Sequence, residues 1–196
     1  FYTEVLSAAV GPNGKVISHN TDRILTMREG QNSKDLKGRL DRLSNMEILV
    51  ADLAASDAGE GTGKTELPVD LGTLNYSMSS YTGQMDVALT ALNLHDIYIN
   101  SGSKGAIIFL QNIYKVLKPG GVFGVIDHAG NPGLDNNSLH RMDPVIAKQL
   151  ATDAGFEIDA ESDLLHNPND DRTLHMRDES LERNTDRFLL RLKKPA

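Results

Sequence analysis

The chain has 196 residues, 39% hydrophobic and 24% charged, which suits a globular domain with a sizeable core. Its net charge of -7 argues against a nucleic-acid backbone or an anionic membrane as the main partner, and the lack of cysteine excludes disulfides, thiolate metal sites and a cysteine nucleophile. No apolar run approaches the roughly 18 residues of a spanning helix, and no signal-peptide pattern is read, so a cytoplasmic chain is expected, with a periplasmic one left open.

Residues 3–10 read as a short helix stopped by Gly11-Pro12-Asn13-Gly14, and 15–19 as a strand. Thr21 or Asp22 caps a second helix to about Met27, and Leu36, Leu40 and Leu43 form the apolar stripe of a third. A buried strand at 46–50 ends at Ala51-Asp52. Residues 54–84 then turn to Gly, Ser, Thr and Asp with little periodicity, a long insertion loop in an otherwise single domain, with a short helix expected at 75–81.

The stretch from Met85 to Gly130 organises the chain. An apolar run at 87–94 reads as a buried strand, and 105–117 as a helix. Lys118-Pro-Gly-Gly121 reads as its stop, and 122–126 as a second buried strand ending on Asp127 and His128. This is a βαβ unit with parallel strands. Ligands of open parallel sheets bind beyond the carboxyl ends of strands, so Asn93, His95, Asp127 and His128 are the polar residues of interest. Asp143-Pro144 opens a helix that Gly155 ends. Alternation over 156–165 and the apolar residues of 186–193 predict two strands, an antiparallel pair on the edge of a parallel sheet.

Two motifs are discounted. The sequence from Ala58 to Thr65, AGEGTGKT, resembles a phosphate-cradling loop, but no strand precedes it and Pro68 spoils the following helix. His128, His140, His166 and His175 are dispersed and lack metal-ligand spacing, so no metal is expected.

The motifs YTE near the start, DVALTALNLHD, LKPGGVFGVIDHA, AGFEIDAESDLLHNPND and DRFLLRLKKP, in this order, resemble class I S-adenosylmethionine-dependent methyltransferases, and more narrowly a bacterial group of predicted methyltransferases. The resemblance implies an α/β, doubly wound Rossmann-like sheet, mostly parallel with an antiparallel edge strand. It also implies a first strand and Gly-rich loop before Phe1, which this chain lacks. An exposed strand edge would follow, and with it self-association into a homo-oligomer. The cofactor implied is S-adenosylmethionine, contacted by Tyr2, Asn20, Asp52, Leu53 and Asn93. Asn20 stands where the family has an acid for the ribose hydroxyls. His95, Asp127 and His128 are the candidates for catalysis or for lining the pocket of a small-molecule acceptor, with His95 a possible base near neutral pH. The alternatives are a non-catalytic binding or assembly module of the same fold and, more weakly, a P-loop phosphate-binding enzyme.

Overall fold

The computed structural model describes residues 1–54 and 66–196, so the P-loop-like segment 58–65 lies outside the described residues. The chain forms two compact units, the first built from Phe1–Asp52 and 66–80, the second from 53–54 and 81–196. Each has its own sheet.

In the first unit, helix α1 (Tyr2–Val10) precedes strand β1 (Val16–Asn20), the short helix α2 (Asp22–Thr26), helix α3 (Gln31–Leu40) and strand β2 (Met46–Val50). Strands β1 and β2 run parallel and in register from Val16↔Met46 to Asn20↔Val50. Thr21 caps α2 as its sequence predicts, accepting the Ile24 N–H at 3.2 Å. The Asn45 amide donates to the carbonyls of Ser7 (3.1 Å) and Gly11 (2.9 Å) at the end of α1, alongside the backbone N–H groups of Gly11 and Gly14. The core holds Leu25, Leu36, Met46, Ile48, Val50 and Leu71, all buried. Of residues 75–81, expected as a short helix, Met78–Tyr81 forms a 3₁₀ turn and Asn75 bridges to Leu49 of β2.

The second unit carries strand β3 (Met85–Ala91), helix α4 (Leu94–Val116), strand β4 (Leu117–His128), helix α5 (Pro144–Asp153), strand β5 (Glu157–Ser162) and strand β6 (Arg187–Lys193), with sheet order β3-β4-β6-β5. Strands β3 and β4 are parallel, as a βαβ unit requires. Strand β6 runs antiparallel to both β4 and β5, which gives the expected antiparallel edge pair. The Asp143 side chain accepts the Val145 N–H at 2.8 Å to open α5. Helices α4 and α5 pack on each other and on the sheet. Tyr114 and Phe123 both stack against Phe156, at 5.2 and 5.6 Å between ring centroids.

Three expectations change here. Strand β3 is not a buried strand: Val87 is 59% exposed, because among the described residues β3 pairs with β4 alone. The expected helix at 105–117 is the second segment of α4; a first segment from Leu94 precedes it, because Leu92 turns the chain with φ 59 and Asn93 becomes the cap. The Lys-Pro-Gly-Gly stretch is part of β4. Met85 faces Leu117 but Val87 faces Val122, so the extra residues form a bulge with Gly120 at φ 77.

Helix α4 is also broken. Gly102 sits at φ 63 and ψ -171, a conformation essentially reserved for glycine, and an added Cβ would meet no atom within 4 Å. Gly102→Ala is therefore expected to destabilise the protein by about 1–3 kcal/mol through backbone strain alone. Urea unfolding measures this, and an unchanged midpoint would mean that the break straightens at no cost.

Candidate functional site

The first unit carries three of the sequence-predicted residues. Tyr2 is half-buried and meets Phe1 edge-on at 5.2 Å. Asn20 and Asp52 follow the carboxyl ends of the adjacent strands β1 and β2, which the Ala51 N–H to Asn20 carbonyl bond (3.0 Å) ties together. Among the described residues the Asn20 amide makes only long contacts, 3.4 and 3.5 Å, to Ser18. The other five residues belong to the second unit. The Leu53 carbonyl accepts from the buried Asn112 amide at 2.9 Å. Asn93 is exposed, and its amide donates to the Ala91 carbonyl at 2.7 Å.

His95, Asp127 and His128 come together at the carboxyl ends of β3 and β4. Asp127 is fully buried and accepts three hydrogen bonds: from the His95 N–H (2.9 Å), the His128 N–H (2.8 Å) and His95 Nδ1 (2.6 Å). It thereby serves a first-turn amide of α4, at the positive end of the helix dipole. An ionised carboxylate only accepts, so Nδ1 carries the proton and the neutral ring presents its lone pair at Nε2. That Nε2 is buried and has no hydrogen-bond partner among the described residues. Burial opposes charge on His95, but the hydrogen bond and charge of Asp127, with help from Asp96, outweigh it and raise the imidazole pKa. His128 goes the other way: burial, with His95, Arg187 and Arg141 as lesser contributors, holds it down at about 4 despite Asp127, so it is neutral near pH 7. Its Nδ1 lies 2.6 Å from the Thr185 hydroxyl.

Two further histidines join the cluster. The rings run His128, His95, His140, His175 at centroid distances of 5.3, 6.0 and 5.1 Å. His140 and His175 come from irregular polar segments, where hydrophobic periodicity says nothing about which side chains meet. His166 stands apart, bonded to Asp186 at 2.9 Å.

A buried ionic network underlies these loops. The Arg141 guanidinium is fully buried and bidentate to Asp170 at 2.8 and 3.0 Å, and it also donates to the carbonyls of Ala129 and Leu174. Asp170 accepts the Asp186 N–H at 2.6 Å, and Asp186 in turn holds Arg172 at 2.7 Å. A depression of about 200 Å³ beside it is lined by Tyr98, Asn137, Arg141, Asp143 and Ile146, among others.

Breaking this pair strands a charge. Arg141→Met is expected to cost about 3–5 kcal/mol in a denaturant titration, because the Asp170 carboxylate is left buried without its cation. Burial raises the Asp170 pKa, but Arg141 and the N–H groups of Asp186 and Arg172 more than offset it and hold the carboxyl below its usual range. The folded state therefore binds fewer protons than the unfolded state. The stability this contributes is complete above the unfolded value near 4 and is lost as pH falls from there through the folded value. Asp170→Asn should flatten the acid limb of a stability-versus-pH curve, and an unchanged limb would show that Asp170 does not govern it.

No family model and no curated protein matches the sequence. Solved structures do resemble the fold. A SAM dependent methyltransferase from Aquifex aeolicus superposes with TM-score 0.57 at 15% identity, covering 98% of this chain and 76% of its own. The antibiotic-resistance methyltransferase Kmr gives 0.52 at 14% identity, over 100% and 82%. The [4+2]-cyclase SpnF gives 0.53 at 14% identity, over 98% and 81%. The chain has the Rossmann-like α/β fold of the SAM-dependent methyltransferases.

Proposed function

We propose that this chain is an S-adenosylmethionine-dependent methyltransferase of a small-molecule acceptor, working as a single domain in the cytoplasm. The observation that carries the reading is the His95–Asp127 pair. A buried carboxylate fixes an imidazole in one tautomer, with an unpaired Nε2 at the carboxyl ends of two parallel strands.

S-adenosylmethionine, when bound, supplies an electrophilic methyl group. The chain's own part is to hold the cofactor, orient the acceptor and remove its proton. Asn20 and Asp52 suit the polar face of an adenosyl group, as one amide with only long contacts of its own and one carboxylate at neighbouring strand ends. Tyr2 in the first unit, and Leu53 and Asn93 in the second, are the other residues assigned to the cofactor. His95 takes the acceptor proton at Nε2 while Asp127 keeps its ring oriented. His128, uncharged near pH 7, supports the His95 ring edge-on without competing for that proton.

A second reading rests on the likeness to SpnF, which its description calls a cyclase: the same fold serves a reaction other than methyl transfer. Titration calorimetry with S-adenosylmethionine and S-adenosylhomocysteine tests the proposal. The expected outcome is saturable binding of both, weakened about tenfold or more in Asp52→Ala and Asn93→Ala. Absence of binding would remove the enzymatic reading for this chain and leave a methyltransferase-like module without the cofactor.

A further inference from the structure

His95, Asp96 and His140 converge in the second unit. Each offers one ligand atom, and the three atoms lie within 4.8 Å of one another. His95 Nε2 and Asp96 Oδ1 are 3.4 Å apart. That is the edge of a tetrahedron whose bonds to a central ion are about 2.0–2.1 Å, the length typical of imidazole and carboxylate ligands to zinc. The His140 ligand atom lies within 4.8 Å of both ends of that edge.

Two further observations point to an ion. His95 is 1% exposed, and its Nε2 makes no hydrogen bond although it is buried and aimed at Asp96. The Nδ1 of His140 is likewise buried without a partner. Buried polar atoms are nearly always satisfied, so imidazole nitrogens without a partner among the described residues, on two histidines that converge with one carboxylate, point to a ligand. Behind them, the Asp127 carboxylate accepts from the far nitrogen of His95 at 2.6 Å, the arrangement that orients a metal-ligating histidine and increases its basicity. The carboxylates of Asp96 and Asp127 supply two negative charges, with Arg177 close enough to oppose them in part.

We propose that His95, Asp96 and His140 bind a divalent transition-metal ion of the zinc type. Two imidazoles and one carboxylate form a borderline nitrogen–oxygen set that suits zinc, cobalt(II) or iron(II) better than the hard ions calcium and magnesium. Three protein ligands leave a fourth position open to water or to an oxygen of a bound molecule. His95 Nε2 cannot both ligate an ion and take up a proton, so in the metal-bound protein the open position, rather than His95, meets the acceptor.

The test is metal binding by the whole chain without an affinity tag, free of any methyltransferase assay. Zinc(II) is titrated by calorimetry, and cobalt(II) is followed by its visible absorption, which is intense only for four-coordinate sites. One equivalent of zinc should bind. His140→Gln and Asp96→Asn should each weaken binding by more than the roughly 10–100-fold that the loss of an outer-sphere partner costs, and should abolish the cobalt band. Asp96 is half-exposed at its side chain, so its replacement leaves the fold intact. His166→Gln should change nothing. Absence of stoichiometric zinc binding, equal affinity in both ligand variants, or loss in His166→Gln instead would overturn the proposal. Binding of S-adenosylhomocysteine in the same samples separates this result from the fate of the cofactor reading.

Discussion

One buried guanidinium decides how a large part of the second unit is arranged. Arg141 is 1% exposed and sits among groups that would be costly to bury alone. Four of its five N–H donors are matched, two by the oxygens of Asp170 and two by the carbonyls of Ala129 and Leu174. Asp170 passes the constraint to Asp186, and Asp186 to Arg172, His166 and the Asn167 N–H. Two arginines thus face two aspartates with the charge balanced. The chain segments they join, 129–142 and 163–187, are too polar to be fixed by hydrophobic burial. A buried charge tolerates few arrangements, and that intolerance gives these loops a single shape.

This also explains which parts of the structure were legible from sequence. Strands β2 and β6, the cap of α5 and the pairing of β3 with β4 follow from apolar periodicity and from Asp143-Pro144, because local chemistry and the fold agree there. The start of α4 was hidden because the residues between His95 and Gly102 lack a clean apolar stripe and Leu92 takes a backbone conformation unusual for its type. Lys118-Pro-Gly-Gly121 carries every mark of a helix stop, and the helix does stop before it. The sheet then absorbs the same residues as a bulge. Of the candidate site, the strand-end rule brought out His95, Asp127 and His128 from position alone. His140 and His175 could not be placed, since their loops are tied down by ionic partners distant in sequence, such as Arg141 and Asp170, 29 positions apart.

The likeness to solved structures is one of architecture, and a cyclase and methyltransferases share it. The chain's own polar chemistry gathers at the ends of β3 and β4. A saturated carboxylate, two imidazoles with opposed proton affinities and two unpartnered ring nitrogens are packed into a few ångströms. Such a concentration of polar groups is costly for stability and is characteristic of sites under functional constraint.

The interruption of α4 at Gly102 bears on how this protein tolerates sequence change. The turn that carries His95 and Asp96 is mechanically separate from the long stretch of α4 that packs on the sheet and on α5. Repacking around Phe109 and Leu110 can shift that stretch by fractions of an ångström without levering the histidine out of line with Asp127. The glycine thus works as a joint between the turn that carries His95 and the packed part of the helix.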